Sequence, residues 1–171
     1  MVIIMSLLCQ LSPAAGVSDP KLKSAFLLNF TKFVEWPPER FAGMTEPIVF
    51  GLIADQTMHQ EVSAIVAGRQ INGRALLVRT VTGVGDLPMI HILFVSTHEQ
   101  DRHRVLLERA AQFGVLVVGD DKTCRFHGGS ICFMQVGEKL RFEINIDAAE
   151  RSQLKISAQL QKLAVAVNKG G

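Results

Sequence analysis

The sequence predicts an α/β fold: a mostly parallel sheet flanked by helices, with a C-terminal antiparallel hairpin and a final helix. Three observations carry this reading. Apolar runs too short for helices, PIVFGLIAD, IHILFVST and GVLVVGD, alternate with segments of helical spacing. Clean two-residue alternation occurs in KLRFEINI, late in the chain, as a hairpin strand requires. Turn signals separate the two kinds of segment, among them Pro37-Pro38, Asn72-Gly73 and Gly137-Glu138.

The first element is a helix over Lys21 to Trp36. Leu22, Phe26, Phe33 and Trp36 repeat at helical spacing, with Ala25, Asn29 and Phe30 between them. Asp19 supplies an N-cap and Pro20 a favourable first helical residue. Pro37-Pro38 stops the helix, because a residue before proline avoids the helical region. A loop runs to Pro47, and a buried strand follows to Asp55. The next helix begins at Gln56, turns Met58, Val62, Ile65 and Val66 inward, and stops at Gly68. After the Asn72-Gly73 turn, Arg74 to Val81 is a strand. Gly83 to Pro88 is a loop, and Ile90 to Thr97 is another buried strand. Glu99 to Phe113 reads as one helix with Val105, Leu106, Arg109 and Phe113 along one side. Gly114 to Asp120 is a short apolar strand.

The pattern then changes. SICFMQV and KLRFEINI form a hairpin across Gly137-Glu138. Leu140, Phe142, Ile144 and Ile146 face one way, and Arg141, Glu143 and Asn145 the other. Asp147 is the expected cap of a final helix reaching Val167, with Ala148, Leu154, Ile156, Leu160, Leu163 and Val167 among its apolar positions.

Composition bounds the function. The chain has 171 residues and a formal net charge of +2, without a basic stripe, which argues against a nucleic-acid binder. Ten Phe against one Trp and no Tyr favour aromatics used for packing. The N-terminus is apolar from Val2 to Leu11, then carries small residues and a proline. That is the form of a secretory leader, expected to span residues 1–16 and to leave one domain over 20–168. Removal of the leader removes Cys9 and leaves Cys124 and Cys132. An even pair in an exported chain points to a disulfide.

Other chemistries are weighed beside these readings. Open parallel sheets bind ligands beyond the carboxyl ends of their strands. Those ends carry Asp55, then Ser96, Thr97 and His98, then Asp120 and Asp121. Converging acids there would make a catalytic or metal-assisted site, although turn acids are more often only solvated. The turn after the first long strand, ADQTMH, has no glycine, so a phosphate-binding loop is absent. Cys124, His127 and Cys132 form a possible zinc set, but its spacing fits no common finger. The two cysteines also lack the compact arrangement of thiol redox enzymes. Arg141, Glu143 and Asn145 read as a solvated row, as a polar anchor that orients the last helix through Arg151 or Lys155, or as a recognition surface.

Several stretches resemble the YfiR family in order: AFLLNFTKFVEWPPERF, INGRALLVRTV, HILFVST and VLVVGD. The most specific is GGSICFMQVGEKLRFEINIDAAERSQLKISAQLQKLA, where Gly128 and Gly129 form the turn before the strand. The resemblance covers roughly residues 21 to 165. It implies a small periplasmic regulator, not an enzyme, with no cofactor. It implies three kinds of partner. One is the periplasmic part of an inner-membrane diguanylate cyclase or other sensor, which the regulator inhibits to keep cyclic-di-GMP low. The second is an outer-membrane lipoprotein, and the third is a second copy in a homodimer. It also implies a Cys124–Cys132 disulfide across the Gly-Gly bend. Phe33, Trp36 and Phe41, with Arg141, Glu143 and Asn145, are the candidate partner-binding residues. Gly128, Gly129, Arg151 and Lys155 are read as structural. The alternative is a periplasmic small-ligand-binding module or enzyme using the strand-end cleft.

Overall fold

The apolar runs lie side by side in one sheet, and the turn chemistry sets their order. The computed structural model describes residues 19–120 and 123–169. The expected leader, Cys9 within it, and Asp121 lie outside the described residues. The chain begins with α1 (Pro20–Phe33), β1 (Val34–Glu35), β2 (Ile48–Ile53) and α2 (Gln56–Val66). Next come β3 (Gln70–Ile71), β4 (Arg74–Thr80), β5 (Ile92–Val95), α3 (Thr97–Gln100) and α4 (Arg104–Ala110). Then follow β6 (Leu116–Asp120), α5 (Thr123–Phe126), β7 (Ile131–Val136) and β8 (Lys139–Asn145). The described chain closes with α6 (Ile146–Arg151), β9 (Lys155–Ile156), α7 (Ala158–Leu163) and β10 (Ala166–Asn168).

The main sheet has the order β10-β8-β7-β6-β5-β2-β4-β3. β4, β2, β5, β6 and β7 are mutually parallel, β8 turns back antiparallel on β7, and β3 is antiparallel to β4. Each central strand feeds both faces. Phe50, Ile92, Phe94, Leu116 and Val118 join the core under α1 and α2. Leu93, Val95 and Val117 join a second core with Leu106, Leu107 and Ala110 of α4. Burial on both sides explains why these strands read as continuous apolar runs. The expected α/β fold with a mainly parallel sheet and a C-terminal hairpin is the observed one.

Local chemistry accounts for the boundaries. The Asp19 carboxylate accepts the N–H groups of Lys21 and Leu22, and Pro20 opens α1. Asn72 and Gly73 both take positive φ, as the tight turn joining β3 to β4 requires.

Three expectations need correction. The first helix ends at Phe33 rather than Trp36, because Val34 and Glu35 pair with Ile156 and Lys155 as strands. Its buried face is also rotated. Lys23, Ser24, Leu27, Leu28, Phe30 and Thr31 are buried, while Leu22 is exposed. The expected helix over Glu99 to Phe113 is broken between α3 and α4. The shorter helix turns Leu106, Leu107 and Ala110 inward, so Val105 is 57% exposed and Arg109 also faces water. The single final helix is replaced by α6, β9, α7 and β10. Asn145, not Asp147, caps α6 by accepting the Ala148 N–H at 3.0 Å. Gln153 then adopts a positive φ that ends helical winding, and Ser157 starts α7 with a new cap on Leu160. Leu163 and Val167 are consequently exposed rather than inward.

Candidate functional site

The strand order places a topological switch beside β2. α2 carries the chain from β2 to β4 over one face, whereas α4 carries it from β5 to β6 over the other. β2 and β5 pair up to Ile53 and Val95, and the chain leaving them departs to opposite faces, which leaves a cleft beyond their ends, as in doubly wound sheets. A cavity of about 890 Å³ opens there. Asp55 stands at its rim as the N-cap of α2, accepting the Met58 N–H at 2.8 Å. Ser96, Thr97 and His98 enter from the end of β5, and Asp120 from the end of β6. Phe94, Phe133 and Met58 supply apolar wall. The structure thus brings Asp55 and Asp120 to one cavity.

Lys23 was not singled out by sequence reasoning, yet it lines the same cavity. Its ammonium lies 2.8 Å from Asp120 Oδ1, and the whole residue is 8% exposed. The signal was present in the sequence: Lys23 precedes Leu27 and Phe30 on the buried side of α1. Gln100 adds a fixed contact, donating from Nε2 to the Asp120 carbonyl at 2.7 Å.

The second candidate region surrounds the cysteine pair. Cys124 and Cys132 form a disulfide with Cα atoms 5.7 Å apart. Their sulfurs are bonded to each other, so the zinc set is not assembled. His127 instead places Nε2 3.1 Å from Asp101 Oδ1. Gly119, Cys132 and Glu143 lie in register across β6, β7 and β8. α5 covers that row. A Cβ at Gly119 would sit 3.0 Å from Cys124 Cβ, so the missing side chain makes room for the bridge. A Cβ at Gly129 would overlap Cys124 Sγ, which explains the second glycine.

The polar row divides by environment. Glu143 is 5% exposed and forms a two-pronged ion pair with Arg125, with Nε to Oε1 at 2.9 Å and Nη2 to Oε2. That hydrogen-bonded pairing raises the Arg125 pKa above its ordinary value. Among the described residues the ion-pair partner of Glu143 is Arg125, not Arg151 or Lys155. Arg151 lies exposed in the last turn of α6, and Lys155 sits opposite Glu35 in the β1–β9 pair. Asn145 is the α6 cap. Arg141 is exposed, opposite Met134, with Val136 and Lys139 exposed beyond it.

Phe33, Trp36 and Phe41 are half-buried and pack against the first core. Trp36 and Phe41 close over His91, a buried histidine inside an apolar strand edge. The Trp36 indole N–H donates to the His91 carbonyl at 3.0 Å. Phe41 stacks on the imidazole at 4.6 Å, and Arg74 covers the other side of Phe41, 3.7 Å from the ring centre. His91 Nδ1 accepts the Val49 N–H at 3.2 Å, leaving Nε2 to face the Arg40 carbonyl at 3.4 Å. Burial first, and then nearby Arg40, push the His91 pKa down to about 4.

Comparison with known proteins follows the same lines. No curated protein is detectably similar in sequence. Among the solved structures that share the fold are two crystal structures. A conserved domain protein from Vibrio cholerae O1 biovar El Tor has 11% identity and a TM-score of 0.59. The ABC domain in complex with L-Trp from Streptococcus pneumoniae has 10% identity and a TM-score of 0.57. Each match covers 87% of this chain and 60% of the other, so this chain spans well under the full length of both. The described residues contain no helix long and apolar enough to cross a membrane. The YfiR/HmsC-like family profile matches residues 20–165, which runs from the Asp19-capped helix to the last strand region and includes the bridged turn. The chain belongs to the YfiR/HmsC-like family.

Proposed function

We propose that the chain is a periplasmic, non-enzymatic regulator. It binds the periplasmic part of an inner-membrane diguanylate cyclase, holds that receptor inactive, and so lowers cyclic-di-GMP. The observation that carries this reading is the family match across residues 20–165. The Cys124–Cys132 disulfide supports it, because such bonds persist in oxidising compartments. Inhibition needs no chemistry on the receptor. A protein that binds the inactive conformation more tightly shifts the receptor population toward it. Release, by an outer-membrane lipoprotein that captures the regulator, returns the population.

The contact surface we assign is the outer end of the β7–β8 hairpin. Beyond the ground covered by α5, Val136, Lys139 and Arg141 are exposed on the same strand face. The test combines two measurements. Affinity capture from envelope extracts recovers a membrane cyclase, and deletion of the gene raises cyclic-di-GMP. Arg141→Glu keeps the thermal midpoint and weakens the capture. Unchanged cyclic-di-GMP in the deletion, with no cyclase recovered, sinks the proposal.

A second reading is favoured by the cleft itself. The strand-end cavity is open rather than filled by side chains, and its volume suits a small organic molecule. A regulator with such a cleft is also a small-ligand-binding module.

A further inference from the structure

The cleft beyond β2, β5 and β6 has a definite chemical character. Among the described residues its carboxylates are Asp55, Glu99 and Asp120, set against the ammonium of Lys23. Lys23 is already held by Asp120 at 2.8 Å. Glu99 is shared with Arg102 and His103, each 3.5 Å away and outside the lining, so among the described residues Asp55 is the rim carboxylate without an ion-pair partner.

The features that would draw an anion are occupied by the chain's own acids. α1 and α2 both begin at the cavity, and helix N-termini attract anions through their free N–H groups. Here the Asp19 carboxylate takes the N–H groups of Lys21 and Leu22, and the Asp55 carboxylate takes that of Met58. A second anion would meet repulsion there rather than donors.

The apolar part of the cavity points the same way. Phe94 and Phe133 pack edge-to-face at 6.3 Å and form the inner wall with Met58 and Ala54. Both rings and Met58 are almost wholly buried, so they give the cavity an apolar floor rather than open aromatic faces. The volume of about 890 Å³ falls within the range of small-molecule sites.

We infer that this cleft binds a small organic amine with an apolar body, its ammonium at Asp55 and its body against Phe94, Phe133 and Met58. The inference rests on the ligand-binding reading of the cleft and is independent of the receptor. Bound there, the ligand bridges the start of α2 to the central strand β5 and to β7.

Titration calorimetry on the purified chain tests it with three probes that share a phenethyl body and differ in the head group: phenethylamine, phenethyl alcohol and hydrocinnamate. The expected result is saturable one-site binding of the amine, roughly tenfold tighter than the alcohol, with no binding of the carboxylate. Asp55→Asn removes the preference of amine over alcohol, and Ala54→Phe, which projects a ring into the cavity beside Asp55, weakens both. If Asp55→Asn does not fold, salt answers the same question in the native chain: added salt weakens the amine and leaves the alcohol unchanged. Equal binding of amine and alcohol, or preference for hydrocinnamate, overturns the amine assignment while the cleft remains a ligand site. Three flat titrations overturn both the assignment and the ligand-binding reading.

Discussion

The Lys23 ammonium lies 2.8 Å from the Asp120 carboxylate, tying the first helix to the end of a central strand at the mouth of the cleft. Both side chains are nearly buried. Removing Lys23 takes a 2.8 Å ion-pair contact from the Asp120 carboxylate. Lys23→Met is expected to cost about 3 kcal/mol. Adding Asp120→Asn recovers a large part of that loss, because the double variant also removes the charge that Lys23 compensates. Urea denaturation of the two variants measures it, and a double variant no better than the single one refutes the coupling.

The disulfide closes a short loop around the Gly-Gly bend. Its chain-entropy contribution is about 2–3 kcal/mol. Cys124→Ala with Cys132→Ala should lose that much in denaturant unfolding, and reduction of the wild-type chain should lose a similar amount. Mass spectrometry of the oxidised protein should show the Cys124–Cys132 bridge and no stoichiometric zinc.

Arg125 is partly exposed, but its partner Glu143 is not. The variant Arg125→Gln leaves a buried carboxylate without its charge-assisted hydrogen bonds and costs about 2 kcal/mol. The milder variant is Arg125→Lys, which keeps the charge and loses the two-pronged geometry. A null effect of Arg125→Gln on the thermal midpoint would show that Glu143 is satisfied elsewhere.

Stability also depends on pH through His91. Its folded pKa, about 4, lies below the ordinary value of 6.5. The unfolded chain therefore binds the extra proton first. The contribution is complete above about pH 6.5 and is lost as pH falls from there toward 4, by roughly 3 kcal/mol in all. Arg40 and Arg74 oppose the charged imidazole, while Glu46 favours it. Urea midpoints measured across that window should fall on acidification in the wild type. His91→Gln should flatten this part of the profile; an unchanged slope rules out His91 as its source.

Much of the fold was legible because its causes are local. Asp19-Pro20 sets the first helix, Asn72-Gly73 turns β3 into β4, and KLRFEINI alternates because it is a hairpin strand. The C-terminal breaks were not legible, since their causes lie far away in sequence. β9 exists because Val34 and Glu35 offer it an edge, and no helix-period count registers that partner. The same limit applied to the sites. Asp55, Ser96 and Asp120 could be placed at strand ends from pattern alone. The spacing of Lys23 to Leu27 and Phe30 marked it as inward, but its partner Asp120, like the partner Glu143 of Arg125, could not be read, because each depends on which strand passes beneath the helix. Glu143 was read on a polar face, yet α5 buries it.

The row Gly119, Cys132 and Glu143 has a consequence for how the chain reaches its fold. Side chains on a strand alternate, so sliding β7 by one residue would put Ile131 or Phe133 beneath α5 and turn Cys132 toward the other core. Cys124 could not then reach its partner, and Arg125 would face the wrong neighbour. The bridge as observed fits the register in which Cys132 lies beside Gly119. Once closed, it bars slippage of β7, the strand between the parallel run and the antiparallel return of β8, which the short three-residue pairing of β6 with β7 would otherwise hold only loosely.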